Sequence, residues 1–300
     1  MKVVLAGGSG ALGRRIAADL AARGDEVVVL TRTPRDGLPW RQVEWDGAHQ
    51  GPWAAELGGA ALVNLAGELV DRRPTAANIE LLTRSRVEPT RALAEAAAVH
   101  RPDVWVQMST LAIYGDGGDA VITEAHPVAD GPAQMAGVAR PWEEAAAGAP
   151  AGRQVVLRTG VVLDPGTPAL NRLTSLVRWG LGGRVGSGRQ WVSWLHIDDL
   201  LAIVRRSLDD PELSGVVHAT SPHPVRNSEL MATLRSALRR PPAPPTPVAL
   251  ARLGACVLRT DAELALIGRR CVPERLERAG FTFAHPSLAQ ALCSALPRRQ

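Results

Sequence analysis

The chain has 300 residues, enough to bury a full hydrophobic core as one large α/β domain or as a nucleotide-binding domain with a smaller companion. Hydrophobic residues make up 46% of the sequence and charged residues 21%, which argues against a disordered or fibrous protein. The formal net charge is +4, but the basic residues occur as scattered arginine pairs without a dense tract, so we expect no nucleic-acid partner.

Cysteine usage and hydropathy indicate a reducing, aqueous environment. Cys256, Cys271 and Cys293 are odd in number and lack the spacing of metal ligands, so we interpret them as reduced thiols and expect no metal site. No apolar run reaches the length of a membrane span, and the chain starts with a strand pattern in place of a cleavable signal. These features predict a cytoplasmic protein without a membrane partner.

The first half of the chain alternates between short apolar runs and helical patterns. A run at residues 3–6 precedes Leu12, Ile16 and Leu20 at helical spacing, which indicates a strand, a turn and a helix. Further strands are predicted at residues 26–31, 42–46, 60–66, 104–108 and 154–158, with helices at 75–99 and 142–147. Because the strands are continuous apolar runs that alternate with helices, they should form a parallel sheet covered on both faces.

The turn between the first strand and the first helix is rich in glycine. It consists of Gly7, Gly8, Ser9, Gly10, Ala11, Leu12 and Gly13. Glycines allow a tight turn and let a pyrophosphate approach the backbone, while the helix N-terminus offers free N–H groups and a positive dipole end. We therefore predict that all of these residues except Gly8 contact a dinucleotide; the alternative is an ordinary tight turn between strand and helix.

The end of the second predicted strand indicates which dinucleotide binds. NAD-selective sites usually place Asp or Glu about 20 residues beyond the glycine turn, against the ribose 2′-hydroxyl. Here stand Thr31 and Arg32, and the guanidinium of Arg32 suits the 2′-phosphate of NADP(H). Arg14 and Arg35 could share that phosphate. We predict NADP(H) as the cofactor, the alternative being that Arg32 is a solvated arginine at a strand end.

The second half of the chain is less regular. After Gly160 the pattern changes to helices separated by Gly- and Pro-rich loops, with one clear further strand at residues 215–219. Residues 241–247 (PPAPPTP) predict a stiff connector before a small helical module. We predict an α/β fold, a doubly wound parallel Rossmann sheet with a smaller, mostly helical C-terminal region on the substrate side. The predicted parts are a Rossmann domain at 1–160, a substrate-side region with returning sheet elements at 161–245 and a small C-terminal domain at 246–300.

Several motifs together resemble those of extended short-chain dehydrogenase/reductase proteins. They are the glycine turn, residues 64–67 (NLAG) and residues 109–116 (STLAIYGD). A further set is similar to an atypical branch of that family, the NAD-dependent epimerase-like (SDR39U1-like) proteins that end in a DUF1731 domain. This set consists of residues 157–163 (LRTGVVL), 180–183 (GLGG), 186–190 (GSGRQ), 194–199 (WLHIDD), 221–227 (SPHPVRN) and 265–281. The resemblance covers nearly the whole chain and implies that the C-terminal domain is DUF1731-like.

The resemblance also implies roles for residues that follow the third and fourth strands. Asp46 would lie near the adenine, and Leu65, Ala66 and Gly67 would line the ribose and pyrophosphate of the cofactor. The alternative for Asp46 and Asn64 is hydrogen bonding within a turn and at a strand end.

The catalytic pair of the wider family is missing from this chain. Extended short-chain dehydrogenases normally use a Tyr-x-x-x-Lys pair, in which the tyrosine is the general acid/base. Tyr114 is the only tyrosine here, and the only lysine, Lys2, lies at the start of the first strand. Matching residues 142–144 (WEE) to the family puts Met135 and Ala139 where the pair would stand, and neither can move a proton.

Other polar residues are candidates for catalysis and substrate binding. Thr110 stands in the place of the Ser/Thr that hydrogen-bonds a substrate carbonyl in the family. Tyr114 is a second catalytic candidate, with the alternative that it packs structurally beside the site. Arg189, on the Gly-Ser-Gly loop, suits an anionic substrate, and we assign Arg158 to the same substrate-binding group.

A second group of polar residues has simpler explanations. It consists of Glu124, His196, Asp198 and Asp199. Glu124 could face the cleft, and nothing in the sequence fixes its direction. His196 and the two aspartates are best explained as the N-terminal cap of a helix at residues 197–208.

Two functions fit these features. The first is an NADP(H)-dependent oxidoreductase or an isomerase/epimerase-type enzyme that acts on a small polar molecule without the Tyr-x-x-x-Lys pair. The alternative is a catalytically silent regulator or scaffold that responds to NADP(H). A third reading, a structural protein that binds no nucleotide, predicts no stabilisation by NADP. The sequence leaves open whether the protein is a monomer or a homodimer.

Overall fold

The structure, a computed structural model, describes residues 1–296. Its strands are β1 (Lys2–Ala6), β2 (Glu26–Thr31), β3 (Arg41–Glu44), β4 (Ala61–Asn64), β5 (Val104–Thr110), β6 (Val121–Ile122), β7 (Arg153–Thr159), β8 (Val161–Leu163), β9 (Trp191–Val192), β10 (Trp194–His196), β11 (Gly215–Ala219), β12 (Val225–Arg226) and β13 (Arg270–Cys271). Its α-helices are α1 (Ala11–Arg23), α2 (Ala76–Val99), α3 (Ala136–Ala146), α4 (Pro168–Arg178), α5 (Ile197–Asp209), α6 (Asn227–Ala237), α7 (Val248–Val257), α8 (Glu263–Leu266), α9 (Glu274–Arg278) and α10 (Leu288–Ala295). Short 3₁₀ helices occupy Pro52–Leu57 and Leu111–Tyr114.

Seven strands form a parallel sheet in the order β3-β2-β1-β4-β5-β7-β11. The order runs outward from β1 in both directions, so the sheet is doubly wound and has its switch point between β1 and β4. The predicted fold class is confirmed. Each strand lies within a residue or two of its predicted bounds, except that β4 is shorter and β5 runs on to Thr110.

The two faces of the sheet are covered by different helices. Val3 and Leu5 of β1 pack in the same cluster as Ile16 of α1, and Val4 packs on the opposite face with Leu93 of α2. All five side chains are fully buried. Burial of each such aliphatic side chain stabilises the fold by about 1.5–3 kcal/mol, so this strand anchors the glycine turn that follows it.

The second half of the chain contains more strand than was predicted. Besides β11, which has the predicted bounds, β8 pairs with β10, β9 with β12, and β6 with β13. These strands have two or three residues each, too few for a periodic pattern in the sequence. Residues 241–247 carry no regular helix, as their prolines predict.

The C-terminal segment is packed against the rest of the chain. Leu292 of α10 lies in one buried cluster with Leu230 and Leu234 of α6, and β13 adds a strand to β6. The last four residues of the predicted C-terminal domain lie outside the described residues. Within residues 1–296 no helix combines the length and the apolar character needed to cross a membrane.

Candidate functional site

The candidate site lies at the carboxyl edge of the sheet. Ala6, the last residue of β1, pairs with Asn64, the last residue of β4, and Asn64 pairs with Gln107 of β5. The segments that follow these strands therefore meet at one edge, beside the switch point of the sheet. Ligands of doubly wound folds bind in this crevice.

The glycine turn is packed so tightly that side chains are excluded from three of its positions. A Cβ at Gly7, which has φ +83°, would lie 2.8 Å from the backbone of Leu65 and Ala66. A Cβ at Gly13 would lie 2.5 Å from the carbonyl oxygen of Gly7, and one at Gly8 would lie 2.8 Å from Val29. The turn thus brings α1 against β1 and the 65–67 loop, as a dinucleotide cradle requires.

The N-terminus of α1 is open. Gly10 is the N-cap and makes no side-chain cap, and the first helical bond runs from the amide of Arg14 to the carbonyl of Gly10. Among residues 1–296, the amides of Ala11, Leu12 and Gly13 have no acceptor. Three unpaired N–H groups at a positive helix end form a site for an anion such as a pyrophosphate.

A buried amide fixes the loop on the other side of the turn. The Asn64 side chain donates to Thr90 Oγ1 at 2.8 Å and to Gln107 Oε1 at 3.0 Å, and its oxygen accepts the Ala66 amide at 3.1 Å. The strand-end role for Asn64 is therefore observed. Through the bond to Ala66, Asn64 holds the backbone of residues 65–67 next to Gly7.

A buried arginine supports the same loop. Arg86 of α2 donates to the carbonyl oxygens of Leu82 at 3.0 Å and Glu68 at 2.8 Å, and its guanidinium lies 5.1 Å from the ring centre of Trp142. A Cβ at Gly67 would lie 2.9 Å from Arg86. Burial lowers the pKa of Arg86 to about 10, so the side chain remains charged at neutral pH.

Three exposed arginines lie in the first helical turn of α1 or in the segment that follows β2. Arg32 is 76% exposed and lies 3.8 Å from the carboxylate of Glu68, so its guanidinium is free to meet a ligand. Arg14 and Arg35 line a depression with Ser9, beyond the end of β2. The Arg14 side chain donates to the carbonyl oxygen of Ser9 at 2.6 Å. Their positive charges suit a 2′-phosphate, and that role stays a prediction.

Asp46 lies on an exposed turn two residues after β3. Its carboxylate accepts the amides of Ala48 and His49 at 2.8 and 2.9 Å and contacts His49 Nδ1 at 2.7 Å. These hydrogen bonds, led by those from the two amides, lower the pKa of Asp46 to about 2. The turn-forming role is observed, while its predicted place beside an adenine stays a prediction.

Thr110 is the last residue of β5. Met135 and Ala139, which stand where the family has its Tyr-x-x-x-Lys pair, lie at the start of α3. The Thr110 hydroxyl accepts the Ala112 amide at 3.1 Å, which leaves its hydrogen free to donate. Met135 is the N-cap of α3 and Ala139 lies one turn further, both buried. Neither supplies a group that can transfer a proton.

Tyr114 and Arg158 belong to one buried network. The Tyr114 hydroxyl contacts His218 Nε2 at 2.7 Å and accepts from Arg158 Nη1 at 2.6 Å. Arg158 also forms a two-pronged pair with Glu143, with distances of 2.9 and 2.7 Å. The network continues to Ser109, whose hydroxyl donates to Glu143 at 2.5 Å.

The hydrogen bonds of this network assign its protons. His218 Nδ1 lies 2.9 Å from the carbonyl oxygen of Val272, which can only accept, so Nδ1 carries the proton and Nε2 accepts from the Tyr114 hydroxyl. Burial lowers the pKa of His218 to about 4 and raises that of Tyr114 to about 12. These contacts favour a packing role for Tyr114, and its catalytic role stays a prediction. The same holds for substrate binding by Arg158, because Glu143 and Tyr114 occupy its donors.

Arg189 lies in a separate, exposed group of charges. Its side chain is 77% exposed and lies 3.9 Å from Asp119, a distance that makes only a weak ion pair. Asp119 also pairs with Arg226 at 2.6 Å and accepts from the indole N–H of Trp191 at 3.0 Å. The guanidiniums of Arg226 and Arg270 lie 3.9 and 4.6 Å from the ring centre of Trp191. Arg189 is accessible to solvent, and its predicted binding of an anionic substrate stays a prediction.

The remaining polar candidates serve structural purposes. His196 caps α5, because its Nδ1 accepts the Asp198 amide at 3.2 Å, as the sequence predicts. Asp198 and His285 come within 3.2 Å of each other beside it. Glu124 accepts the amides of His218 at 3.1 Å and Arg275 at 3.4 Å, so one carboxylate oxygen links the C-terminal segment to β11.

The sequence gives little sign of the buried network. His218 is a single polar residue in an apolar strand, and Glu143 is one of two acids in a helix. The signal that could have found them is the presence of charged or polar types within runs that must be buried, because such groups need partners. Which residues become partners depends on contacts up to 104 residues apart.

Comparison with known proteins places the chain in a family. The model of the NAD dependent epimerase/dehydratase family matches residues 3–218, and that of the DUF1731 domain of unknown function matches residues 246–295. The chain is 34% identical to an epimerase family protein of Mycobacterium tuberculosis (MT2273), over 99% of this chain and 98% of that protein.

Two solved structures are also similar. The human epimerase family protein SDR39U1, crystallised with NADPH, has a TM-score of 0.86 and 32% identity, over 98% of this chain and 99% of that chain. A nucleoside-diphosphate sugar epimerase from Corynebacterium glutamicum has a TM-score of 0.77 and 31% identity, over 98% of this chain and 58% of that one. The resemblance predicted from the motifs is confirmed, and the chain belongs to the NAD dependent epimerase/dehydratase family, with a DUF1731 domain near its C-terminal end.

Proposed function

We propose that the protein binds NADP(H) at the carboxyl edge of the sheet and uses it to convert a small polar molecule. The observation that carries the cofactor assignment is the N-terminus of α1, where three unpaired amides follow a turn that excludes side chains at Gly7, Gly8 and Gly13. A diphosphate satisfies those amides and compensates for their positive field. The human relative was crystallised with NADPH, which supports the same cofactor here.

Each part of the cofactor has candidate partners in this chain. Residues 9–13 hold the pyrophosphate, and the backbone of residues 65–67 lines the adjoining ribose. Asp46 lies towards the adenine. Arg32 binds the 2′-phosphate with help from Arg14 and Arg35, because the exposed Arg32 guanidinium has only a weak contact with a carboxylate. The chain has no acidic residue directly after β2 that would repel that phosphate.

Thermal unfolding in the presence of NADP⁺, NADPH or NAD⁺ tests the cofactor assignment. A ligand that binds only the folded state stabilises it by about 2.7 kcal/mol at a concentration of 100 times Kd. We expect NADP⁺ and NADPH to raise the melting temperature at concentrations at which NAD⁺ does not. If none of the three changes it, the nucleotide site does not function and a structural protein is the better description.

For the chemistry, we propose an oxidoreductase or isomerase/epimerase reaction that differs from that of the wider family. The cofactor supplies or accepts a hydride when bound. Thr110 donates its free hydroxyl hydrogen to a substrate carbonyl and orients it. Because Met135 and Ala139 cannot carry a proton, Tyr114, water or the substrate itself supplies the proton that accompanies hydride transfer.

The test of turnover is NADPH oxidation by a panel of carbonyl compounds that includes nucleoside-diphosphate sugars, with the Thr110 variants as controls. Thr110→Val removes the donor and should reduce kcat about 10²-fold. Thr110→Ser keeps both the donor and the acceptor for Ala112 and should retain most activity. The enzymatic proposal fails if no compound is turned over and Thr110→Val behaves like the unmodified chain in cells.

The second candidate is a catalytically silent regulator that changes conformation with NADP(H). Met135 and Ala139, which replace the proton-transferring pair, favour it. Such a switch requires different cofactor affinities in two conformations, so hydrogen exchange should differ with and without NADPH beyond the cofactor contacts. Catalytic oxidation of bound NADPH by a cellular metabolite would exclude this alternative.

A further inference from the structure

Arg269 is brought into the candidate site by a fixed backbone. The preceding Gly268 is so close to β9 that a Cβ there would lie 2.5 Å from the Trp191 nitrogen. The Gly268 amide donates to Asp116 at 3.3 Å, and the Arg269 amide donates to the Trp191 carbonyl at 3.2 Å. The Ser193 hydroxyl donates to the Arg269 carbonyl at 2.9 Å. The C-terminal segment is thus held at this point, and the direction of the side chain is constrained.

The Arg269 side chain lies against the position that the catalytic tyrosine occupies in the wider family. Its Nη2 atom is 3.8 Å from Met135 Sδ, and its Cβ is next to Gly117, where an added Cβ would come within 3.3 Å. The residue is partly exposed. The guanidinium therefore lies at the start of α3 and is partly accessible to solvent.

Arg269 has no direct ion-pair partner in the part of the chain that the structure describes, although the Asp116 carboxylate lies near enough to favour its charge. No carboxylate oxygen of residues 1–296 lies within 4.0 Å of its nitrogens, and its Nε is buried without a hydrogen-bond partner. The Asp116 carboxylate that faces this region already accepts the amides of Gly118 and Gly268. By contrast, Arg158 has Glu143 as a counter-ion.

We infer that Arg269 binds an anionic group of the substrate, a carboxylate or a phosphate, beside Met135. The inference rests on the proposed function in that the substrate is taken to lie where the wider family places it. A largely desolvated guanidinium without an ion-pair partner is costly, and an oxyanion that accepts from the partly exposed Nη end of the side chain removes part of that cost. The C-terminal segment thereby contributes a specificity-determining residue that the first 160 residues lack.

The test uses the full chain with inorganic phosphate and malonate as probes, measured as thermal shifts against sodium chloride at equal ionic strength. Saturating NADP⁺ is added so that the anions do not occupy the N-terminus of α1. We expect a saturable rise in melting temperature with one of the probes. Saturation by phosphate identifies a phosphate site and saturation by malonate a carboxylate site.

The variant Arg269→Met keeps an unbranched apolar side chain similar to the stem of arginine and removes the guanidinium charge. We expect it to weaken the apparent affinity for the anion at least tenfold while leaving the melting temperature without anion unchanged or higher. Arg278→Met, on the exposed face of α9, removes an equal charge from the same segment and should leave the affinity unchanged. If Arg269→Met does not fold, Arg269→Gln provides the same comparison.

Two results would overturn the inference: no saturable shift with either anion, or equal affinities in Arg269→Met and the unmodified chain. Failure of the cofactor proposal is recognised separately, because NADP⁺ alone would then produce no shift. In that case the difference between the two variants still reports on Arg269.

Discussion

His218 makes the stability of the fold depend on pH in a way that can be worked out from its contacts. The imidazole is fully buried, donates from Nδ1 to Val272 and accepts at Nε2 from Tyr114, so it must be neutral in the folded chain. Burial, together with the nearby positive charge of Arg158, lowers its pKa from 6.5 to about 4. Protonation would also leave the Tyr114 hydroxyl hydrogen without an acceptor.

Whether acid stabilises or destabilises the fold depends on how many protons the folded and unfolded chains bind. Between about pH 6.5 and pH 4 the unfolded chain carries a proton on His218 that the folded chain lacks, so acid favours unfolding. The stabilisation by the neutral imidazole is complete above the unfolded pKa and is lost as the pH falls towards the folded one. A difference of about 2.5 pKa units corresponds to about 3 kcal/mol of pH-dependent free energy of unfolding. About 2 kcal/mol of this is lost between pH 7 and pH 5.

The assay is the free energy of urea unfolding at about pH 7, 6 and 5 for the unmodified chain and for His218→Gln. The variant should be less stable at pH 7 by about 1–3 kcal/mol, because glutamine cannot satisfy both Val272 and Tyr114. The difference in free energy of unfolding between the variant and the unmodified chain should be smaller by about 2 kcal/mol at pH 5 than at pH 7. His223→Gln, at an exposed position, serves as the control. If the free energies of unfolding of His218→Gln and the unmodified chain change with pH by the same amount, the reasoning is refuted.

Three further substitutions test other parts of the site. Tyr114→Phe removes the hydroxyl partner of Arg158 and should lower the free energy of urea unfolding by about 1–3 kcal/mol, with little effect on turnover of the folded enzyme if Tyr114 packs structurally. Arg158→Met leaves Glu143 buried without a counter-ion and should cost about 3–5 kcal/mol by the same assay. Gly13→Ala puts a Cβ 2.5 Å from the Gly7 carbonyl and should weaken NADP⁺ binding more than tenfold in calorimetry.

Each of these has a contradicting result. Loss of turnover in a folded Tyr114→Phe variant would assign Tyr114 a catalytic role. An Arg158→Met variant as stable as the unmodified chain would mean that the Arg158–Glu143 ion pair contributes nothing to stability. Unchanged NADP⁺ affinity in Gly13→Ala would mean that the glycine turn does not form part of the nucleotide site.

Local patterns were sufficient to predict the sheet and the tight glycine turn between β1 and α1. The strands of the sheet are apolar runs bounded by turns, and the glycine turn combines a strand, a turn and a helix within residues 2–23. Because these signals are local, their positions differ from the structure by only a few residues. The short strands β6, β9, β12 and β13 were not predictable, since two residues contain no period.

The side-chain partners were not predictable, because they depend on the tertiary fold. Arg158 was expected to bind substrate, and only the packing of α3 against β7 shows that Glu143 occupies it. Arg269 is one of the scattered arginine pairs in the sequence, and it reaches Met135 because the adjoining strand β13 pairs with β6. A sequence records which charged groups exist, whereas burial and folding decide which of them have partners.

The central claim is that this chain selects NADP(H), and calorimetric titration of NADP⁺ and NAD⁺ tests it most directly. We predict that NADP⁺ binds at least tenfold more tightly than NAD⁺ and that Arg32→Ala removes most of that preference, because the charge that meets the 2′-phosphate is gone. The affinity for NAD⁺ should change little, since the α1 amides are intact. Equal affinities for the two nucleotides in the unmodified chain, or an undiminished preference in Arg32→Ala, would contradict the account.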